Sequence, residues 1–359
     1  MLEMLGQVDT PALLLDLEAL GANITTMARF FEPLSANLRP HFKTHKCTRI
    51  ARLQMEAGAI GMTCAKVGEA EILVSAGIRD ILIANQIVGS LKIERLMNLL
   101  GRGVDLKVAV DDEENVRELS RATTARGIEL GVLAEVDVGM GRCGLPPGEP
   151  LVELCKFIDD SKRLVFRGLM GYEGHAVVVE DREDRKAVTT KALERLEEAR
   201  RLVEEADLEV EIVSAGGTGT YNITGDWPGV TEVQAGSYVV MDARYRRICP
   251  EFRPALSVLS TIVSCARKGA AVADAGTKSI TTEFGLPEVI FPEGVKVKRL
   301  AEEHAILAVD PDVQLAPGQR VLFLPSHCCT TINLYEEYVL VEHARQRERW
   351  AIEARGRVR

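Results

Sequence analysis

Apolar residues follow two rhythms along this chain. Short apolar runs fall at 38–42, 60–64, 80–84, 104–110, 130–136, 164–170, 210–214 and 231–235. Between most of them, apolar positions recur every three or four residues, over 47–57, 67–76, 90–100, 112–126, 149–160 and a long charged stretch at 183–206. Runs of the first kind predict buried strands, and stretches of the second kind predict amphipathic helices. Strands that alternate with helices pair in parallel through right-handed crossovers. Eight of them over about 200 residues predict a closed (β/α)8 TIM-like barrel, with an open doubly wound sheet as the alternative. Ahead of the series, Ala12–Leu15 reads as a short strand. Asp16 reads as a helix N-cap, and Leu17, Leu20, Ile24, Met27 and Phe31 follow at helical spacing.

From about residue 250 the long helical stretches stop. Strand patterns at 256–265, 270–274, 295–300, 305–309, 319–324, 338–343 and 347–353, with a turn at Pro317-Gly318, predict a β domain. The expected division is a barrel over 12–245 and a β domain built from 1–11 and 246–359.

Composition narrows the class. A chain of 359 residues suits a barrel with an appended domain, and 46% apolar with 27% charged residues is ordinary for a globular protein. A net charge of −9 argues against a nucleic-acid partner. No apolar run approaches the ~20 residues of a membrane span, and the opening MLEMLGQVDT carries no secretory pattern, so a cytoplasmic location is expected. Cys47, Cys64, Cys143, Cys155, Cys249, Cys265, Cys328 and Cys329 are scattered, and reduced thiols fit that setting. CxxC and HExxH are absent.

In a barrel of this kind, chemistry collects where strands end. Lys43 follows the first strand in Arg39-Pro-His-Phe-Lys-Thr-His-Lys46, a placement that suits a lysine forming a Schiff base. Asn85-Gln86 follows the third strand, and Asp137 with Arg142 follows the fifth. Tyr172-Glu-Gly-His175 follows the sixth. The seventh is followed by SAGGTGT at 214–220, and the eighth by Gly236-Ser237-Tyr238. Gly216, Gly217 and Thr218, with Gly236, Ser237 and Tyr238, offer the backbone N–H groups of a phosphate cup. A lysine on strand one next to a cup on strands seven and eight fits pyridoxal phosphate. Tyr172 either packs on the pyridine ring or is an edge-of-core tyrosine. Arg142 either holds the cofactor's phenolic oxygen or forms a loop salt bridge. His175 is either a general base or a structural histidine. In the β domain, His327 and Cys329 are two residues apart at the expected end of a strand, where both would point to one side. Imidazole and thiolate suit a divalent ion in an open site, and buried cysteines without metal are the other reading.

Five segments together resemble a known family: RPHFKTHK (39–46), GYEGHA (171–176), SAGGTGT (214–220), QAGSYVVMD (234–242) and PSHCC (325–329). They are similar to the D-threonine aldolase and D-serine dehydratase family, which includes 3-hydroxy-D-aspartate aldolases. These are pyridoxal-phosphate enzymes built like alanine racemase. The resemblance implies that Lys43 carries the cofactor, that Arg142 and Tyr172 contact it, and that the glycine loops hold its phosphate. It also implies that His327 and Cys329 bind a divalent ion (zinc, manganese or magnesium) and that the enzyme is a homodimer. The implied reaction is retro-aldol cleavage of a D-3-hydroxy-amino acid to glycine and an aldehyde. The alternative is dehydration of D-serine or D-3-hydroxyaspartate to a 2-oxo acid and ammonia, toward which Cys329 leans. A cofactor carrier, a racemase and a metal-only hydrolase are the remaining rivals.

Overall fold

The computed structural model describes residues 7–343 and 345–359; the part of the expected β domain at 1–6 lies outside them. The described residues fall into two compact units. One gathers the described residues up to Thr26, Thr44–Arg49 and Ser237–Gly356, and the other gathers Met27–Lys43, Ile50–Gly236 and Arg357–Arg359.

The chain opens with strand β1 (Ala12–Asp16) and helix α1 (Leu17–Phe31). Asp16 caps α1 as its sequence predicts, its Oδ1 accepting from the Ala19 amide at 2.9 Å.

The second unit holds eight parallel strands: β2 (Asn37–Leu38), β3 (Met62–Cys64), β4 (Asp80–Ile83), β5 (Asp105–Val110), β6 (Leu130–Glu135), β7 (Leu164–Gly171), β8 (Ile212–Ala215) and β9 (Glu232–Val233). They pair in the order β2-β9-β8-β7-β6-β5-β4-β3. A bridge between His41 and Thr63 curls the two ends of this sheet together. The Phe42 amide donates to Thr63 O at 2.7 Å, and the Thr63 amide to Pro40 O at 2.9 Å. This is the barrel the alternating pattern calls for. The ladder at the first strand is shorter than its apolar run because Pro40 has no N–H to give to β3. Helices α2 (Thr48–Glu56), α3 (Val67–Ser75), α4 (Ser90–Leu100), α5 (Glu113–Arg126), α6 (Glu149–Asp159) and α7 (Arg182–Glu204) occupy the expected stretches.

Leu82, Ala109, Leu133, Met170 and Ile212 pack together across β4 to β8. Toward the N-terminal ends of the strands a buried charge network replaces apolar packing. Arg39 Nε bonds Glu232 Oε2 at 2.7 Å, Arg39 Nη1 bonds Asp80 Oδ1 at 2.5 Å, and Lys107 Nζ bonds Asp80 Oδ1 at 2.9 Å. Arg39, the first residue of the lysine stretch, therefore ties β4 and β9 together at that end of the barrel.

The other unit is a sheet in the order β13-β14-β11-β10-β1-β16-β17, with β15 pairing with both β10 and β12. Its strands after β1 are β10 (Leu256–Arg267), β11 (Ala270–Ala273), β12 (Glu288–Phe291), β13 (Val295–Leu300), β14 (Ala305–Val309), β15 (Arg320–Leu324), β16 (Glu337–Glu342) and β17 (Arg345–Ala351). β1 lies between β10, antiparallel, and β16, parallel. The boundary expected at residue 12 would have put β1 with the barrel. ALLLD is apolar on both faces, so its local pattern fits a buried strand of either sheet. Ala12 and Leu14 pack with Val8, Leu259, Leu322 and Val339. Three short helices, α8 (Tyr221–Thr224), α9 (Tyr245–Ile248) and α10 (Cys328–Ile332), complete the described elements used below.

Candidate active site

In the barrel unit, three of the expected residues converge on one ring. Lys43 follows the fully buried Phe42, and its Nζ stands over Tyr172, 5.6 Å from the ring centroid. The Arg142 guanidinium lies over the same ring at 5.8 Å. Arg142 also faces Glu135, with Nη2 to Oε1 at 3.9 Å, so the loop ion pair of the second reading is present as well. Burial pushes the Glu135 carboxyl up, against a 2.5 Å hydrogen bond from Gln86 and the charge of Arg142. Asp137 shapes the arginine loop: its Oδ1 accepts from the Gly139 and Gly141 amides at 2.9 and 3.0 Å. Those bonds, the Gly141 one foremost, hold its carboxyl below the usual range.

The glycine loop after β8 packs against Tyr172 and its neighbours. A Cβ on Gly217 would come 3.0 Å from Val177 and 3.2 Å from the Tyr172 ring, and one on Gly219 would overlap the Val177 carbonyl. Only a bare backbone passes there. The loop is held from beneath by Glu173, which is 1% exposed. One carboxylate oxygen accepts from Thr220 Oγ1 at 2.7 Å and Thr224 Oγ1 at 2.6 Å, and the other from the Gly216 amide at 3.0 Å. Thr218 and Gly236 are buried, and His175 is exposed beside Gly139. Glu173 stands inside the GYEGHA segment, yet sequence reading passed over it between Tyr172 and His175. Three donors aimed at one buried carboxylate become visible only once β7 and β8 are side by side.

In the sheet unit, His327 and Cys329 are brought together, though not as the strand argument expected. β15 ends at Leu324, His327 takes the N-cap position of α10, and Cys329 lies within that helix. A turn, rather than the two-residue period of a strand, sets their common direction. The Cys329 thiol and the His327 imidazole lie close enough to shift one another. Thr44 Oγ1 lies 3.3 Å from Cys329 Sγ, and Ser237 Oγ lies 3.7 Å away. Asp242, at the end of QAGSYVVMD, anchors the turn through its Oδ2, which accepts from the Cys328 amide at 2.9 Å. A hydrogen bond from Cys328 and the neighbouring imidazole hold the Cys329 thiol well below its ordinary value, against its burial. Burial works against the His327 imidazolium, but Cys329, Asp242 and Glu283 outweigh it and raise that group to about 9. Tyr238 is fully buried with its ring against Phe252. All eight cysteines are free thiols. No helix among the described residues is long and apolar enough to cross a membrane.

Comparison with known proteins gives the class and then the kin. Residues 15–244 match the alanine racemase N-terminal domain, and residues 255–341 match a putative serine dehydratase domain. The 3-hydroxy-D-aspartate aldolase of Paracoccus denitrificans (strain Pd 1222) is 36% identical, over 98% of this chain and 93% of its own. The solved D-threonine aldolase from Filomicrobium marinum superposes with a TM-score of 0.96 at 37% identity, covering 99% of this chain and 98% of its own. The D-threo-3-hydroxyaspartate dehydratase of Delftia sp. HT23 is 30% identical over 94% of this chain and 95% of its own, and its structure superposes with a TM-score of 0.89. A further structure of that dehydratase is a cysteine-to-alanine variant in a metal-free form. This chain has the alanine racemase-like fold and belongs to the family of D-threonine and 3-hydroxy-D-aspartate aldolases and the related dehydratases. It is an enzyme of that aldolase and dehydratase group.

Such a fold implies pyridoxal phosphate, and this chain's residues fit it. An amine and a guanidinium flank one aromatic ring, and a side-chain-free loop packs against that ring. The imidazole and thiolate of His327 and Cys329 are donors of the kind a borderline divalent ion takes.

Proposed function

We propose that this chain is a pyridoxal-phosphate- and divalent-metal-dependent lyase. Its substrates are D-3-hydroxy-amino acids of the D-threonine and 3-hydroxy-D-aspartate type, which it splits by retro-aldol cleavage to glycine and an aldehyde. The observation that carries this reading is the meeting of Lys43 and Arg142 over the Tyr172 ring, beside the Gly217 backbone. When bound, the cofactor supplies a sink for the electron pair released at Cα, and the ion supplies a Lewis acid at the β-hydroxyl.

The chain's own residues do the rest. Lys43 would hold the cofactor through its amine. Arg142 would set its positive charge beside the phenolic oxygen, and Tyr172 would pack against the cofactor ring. Gly216, Gly217, Thr218, Gly236, Ser237 and Tyr238 orient the phosphate with backbone amides and hydroxyls. His327 and Cys329 hold the ion. Thr44 supports the metal pair, its Oγ1 lying 3.3 Å from Cys329 Sγ. His175 would take the proton from the β-hydroxyl as the general base. The active form in this reading is a homodimer.

Cys329 favours a second reading, dehydration to a 2-oxo acid and ammonia. The higher identity to the aldolases supports the first. Incubation with D-threonine, D-serine and D-3-hydroxyaspartate, with and without chelator, separates the two. Glycine plus aldehyde, lost on chelation, supports cleavage. Oxo acid and ammonia without glycine would overturn it in favour of dehydration.

A further inference from the structure

The His327 imidazole has a second neighbour that the reaction leaves unused. Its Nδ1 lies 2.8 Å from Glu283 Oε1. The Phe284 ring stacks on the imidazole with centroids 4.3 Å apart and planes inclined by 19°. Glu283 also accepts a hydrogen bond from Thr330 Oγ1, one residue beyond Cys329. Two residues earlier, Thr281 Oγ1 bonds Thr330 Oγ1 at 2.7 Å and Thr331 Oγ1 at 3.0 Å, and Ser326 Oγ donates to Thr281 O at 3.3 Å. The segment 281–284 thus forms a strap along the turn at 326–331, bonded to Ser326, His327, Thr330 and Thr331.

An imidazole has two nitrogens, and only one at a time serves a metal ion. A carboxylate accepting from Nδ1–H fixes the proton there and leaves the Nε2 lone pair for the ion. The stacked ring stops rotation about the imidazole axis. We propose that Glu283 is a positioning residue for the metal site: through Nδ1 it selects the tautomer and orientation in which His327 offers Nε2 to the divalent ion beside Cys329, with Phe284 as the backstop. This rests on the reading of His327 and Cys329 as the metal pair.

The test uses the holoenzyme with zinc and manganese, and measures affinity by competition with a chromophoric chelator at fixed pH. Wild type, Glu283→Gln, Glu283→Ala and His327→Ala are compared. Gln keeps an acceptor for Nδ1–H, and Ala removes it. The expected order is wild type tightest, then Gln, then Ala, with Ala weaker by about 10- to 100-fold, the range for groups that orient a ligand. Melting temperature and the visible cofactor band should stay unchanged. Nitrogen NMR of His327 should report protonated Nδ1 in wild type and a tautomer mixture in the Ala variant.

If Glu283→Ala binds within twofold of wild type while His327→Ala loses the ion, the positioning role is wrong and the metal reading stands. A loss in Glu283→Ala as complete as in His327→Ala makes Glu283 a ligand itself and likewise overturns it. If His327→Ala binds as wild type does, the metal reading fails and takes this proposal with it.

Discussion

Replacing Glu173 tests whether the glycine loop is held in place before any ligand arrives. Three donors meet its two oxygens: Thr220 Oγ1, Thr224 Oγ1 and the Gly216 amide. The two hydroxyls can rotate, and the amide cannot. In Glu173→Gln the amide oxygen keeps the Gly216 N–H while the NH2 turns to hydroxyls that now accept. The charge-assisted part of the bonding is lost, about 1–2 kcal/mol net. Glu173→Ala leaves the Gly216 N–H buried without its carboxylate partner, at about 1–3 kcal/mol. Adding the two hydroxyls and the emptied volume brings the total to roughly 3–5 kcal/mol. At about 2–4 °C per kcal/mol for a body this large, the melting temperature of the Ala variant falls by roughly 10 °C. Where the loop's order is spent on holding a phosphate, cofactor affinity drops by about 10- to 100-fold. A pyridoxal phosphate titration followed by absorbance, alongside a thermal melt, reads both quantities. The reasoning is refuted if Glu173→Ala binds the cofactor as tightly as wild type and melts at the same temperature.

Lys43→Ala should leave no borohydride-reduced cofactor on the 39–46 peptide, read by peptide mapping, with the melting temperature kept. Because His327 is raised to about 9, its proton must be displaced before an ion binds. Apparent zinc affinity should therefore climb about tenfold per pH unit up to that value and then level, as chelator competition across pH would show. Asp80 is half-buried, which pushes its carboxyl up, but Arg39 and Lys107 outweigh that desolvation and hold it below the ordinary value. A depressed carboxyl stabilises the fold above its unfolded pKa of about 3.9 and loses that contribution as pH falls through the folded value. Denaturant melts of Asp80→Asn should be weaker than wild type at neutral pH and converge with it in strong acid.

Periodicity was enough to find the barrel because each βα repeat buries its own strand, so every run carried a local signal. The same logic placed Lys43, Arg142 and Tyr172 at strand ends, where the structure brings them to one ring. What stayed hidden depends on contacts distant in sequence. Nothing in the stretch containing Glu283 and Phe284 sets it apart until it folds over residues more than forty positions further on. β12, Glu288–Phe291, is only four residues long and closed in by Pro287 and Pro292, too short a run to stand out from a loop. For His327 and Cys329 the pairing was legible while the reason given for it was not, since a helical turn presents them where a strand was expected.

The placement of β1 has a consequence for how this protein is made. Its neighbours on the two sides begin at Leu256 and Glu337, so this strand waits until synthesis has passed β10 for one partner and β16 for the other. Until then a short, almost wholly apolar segment has its hydrogen-bonding groups open, the condition under which nascent chains recruit chaperones or cluster with one another. A chain cut short anywhere before β16 leaves that segment without one of its two partners, so premature termination is more damaging here than the loss of a terminal strand would be in a sheet assembled in order.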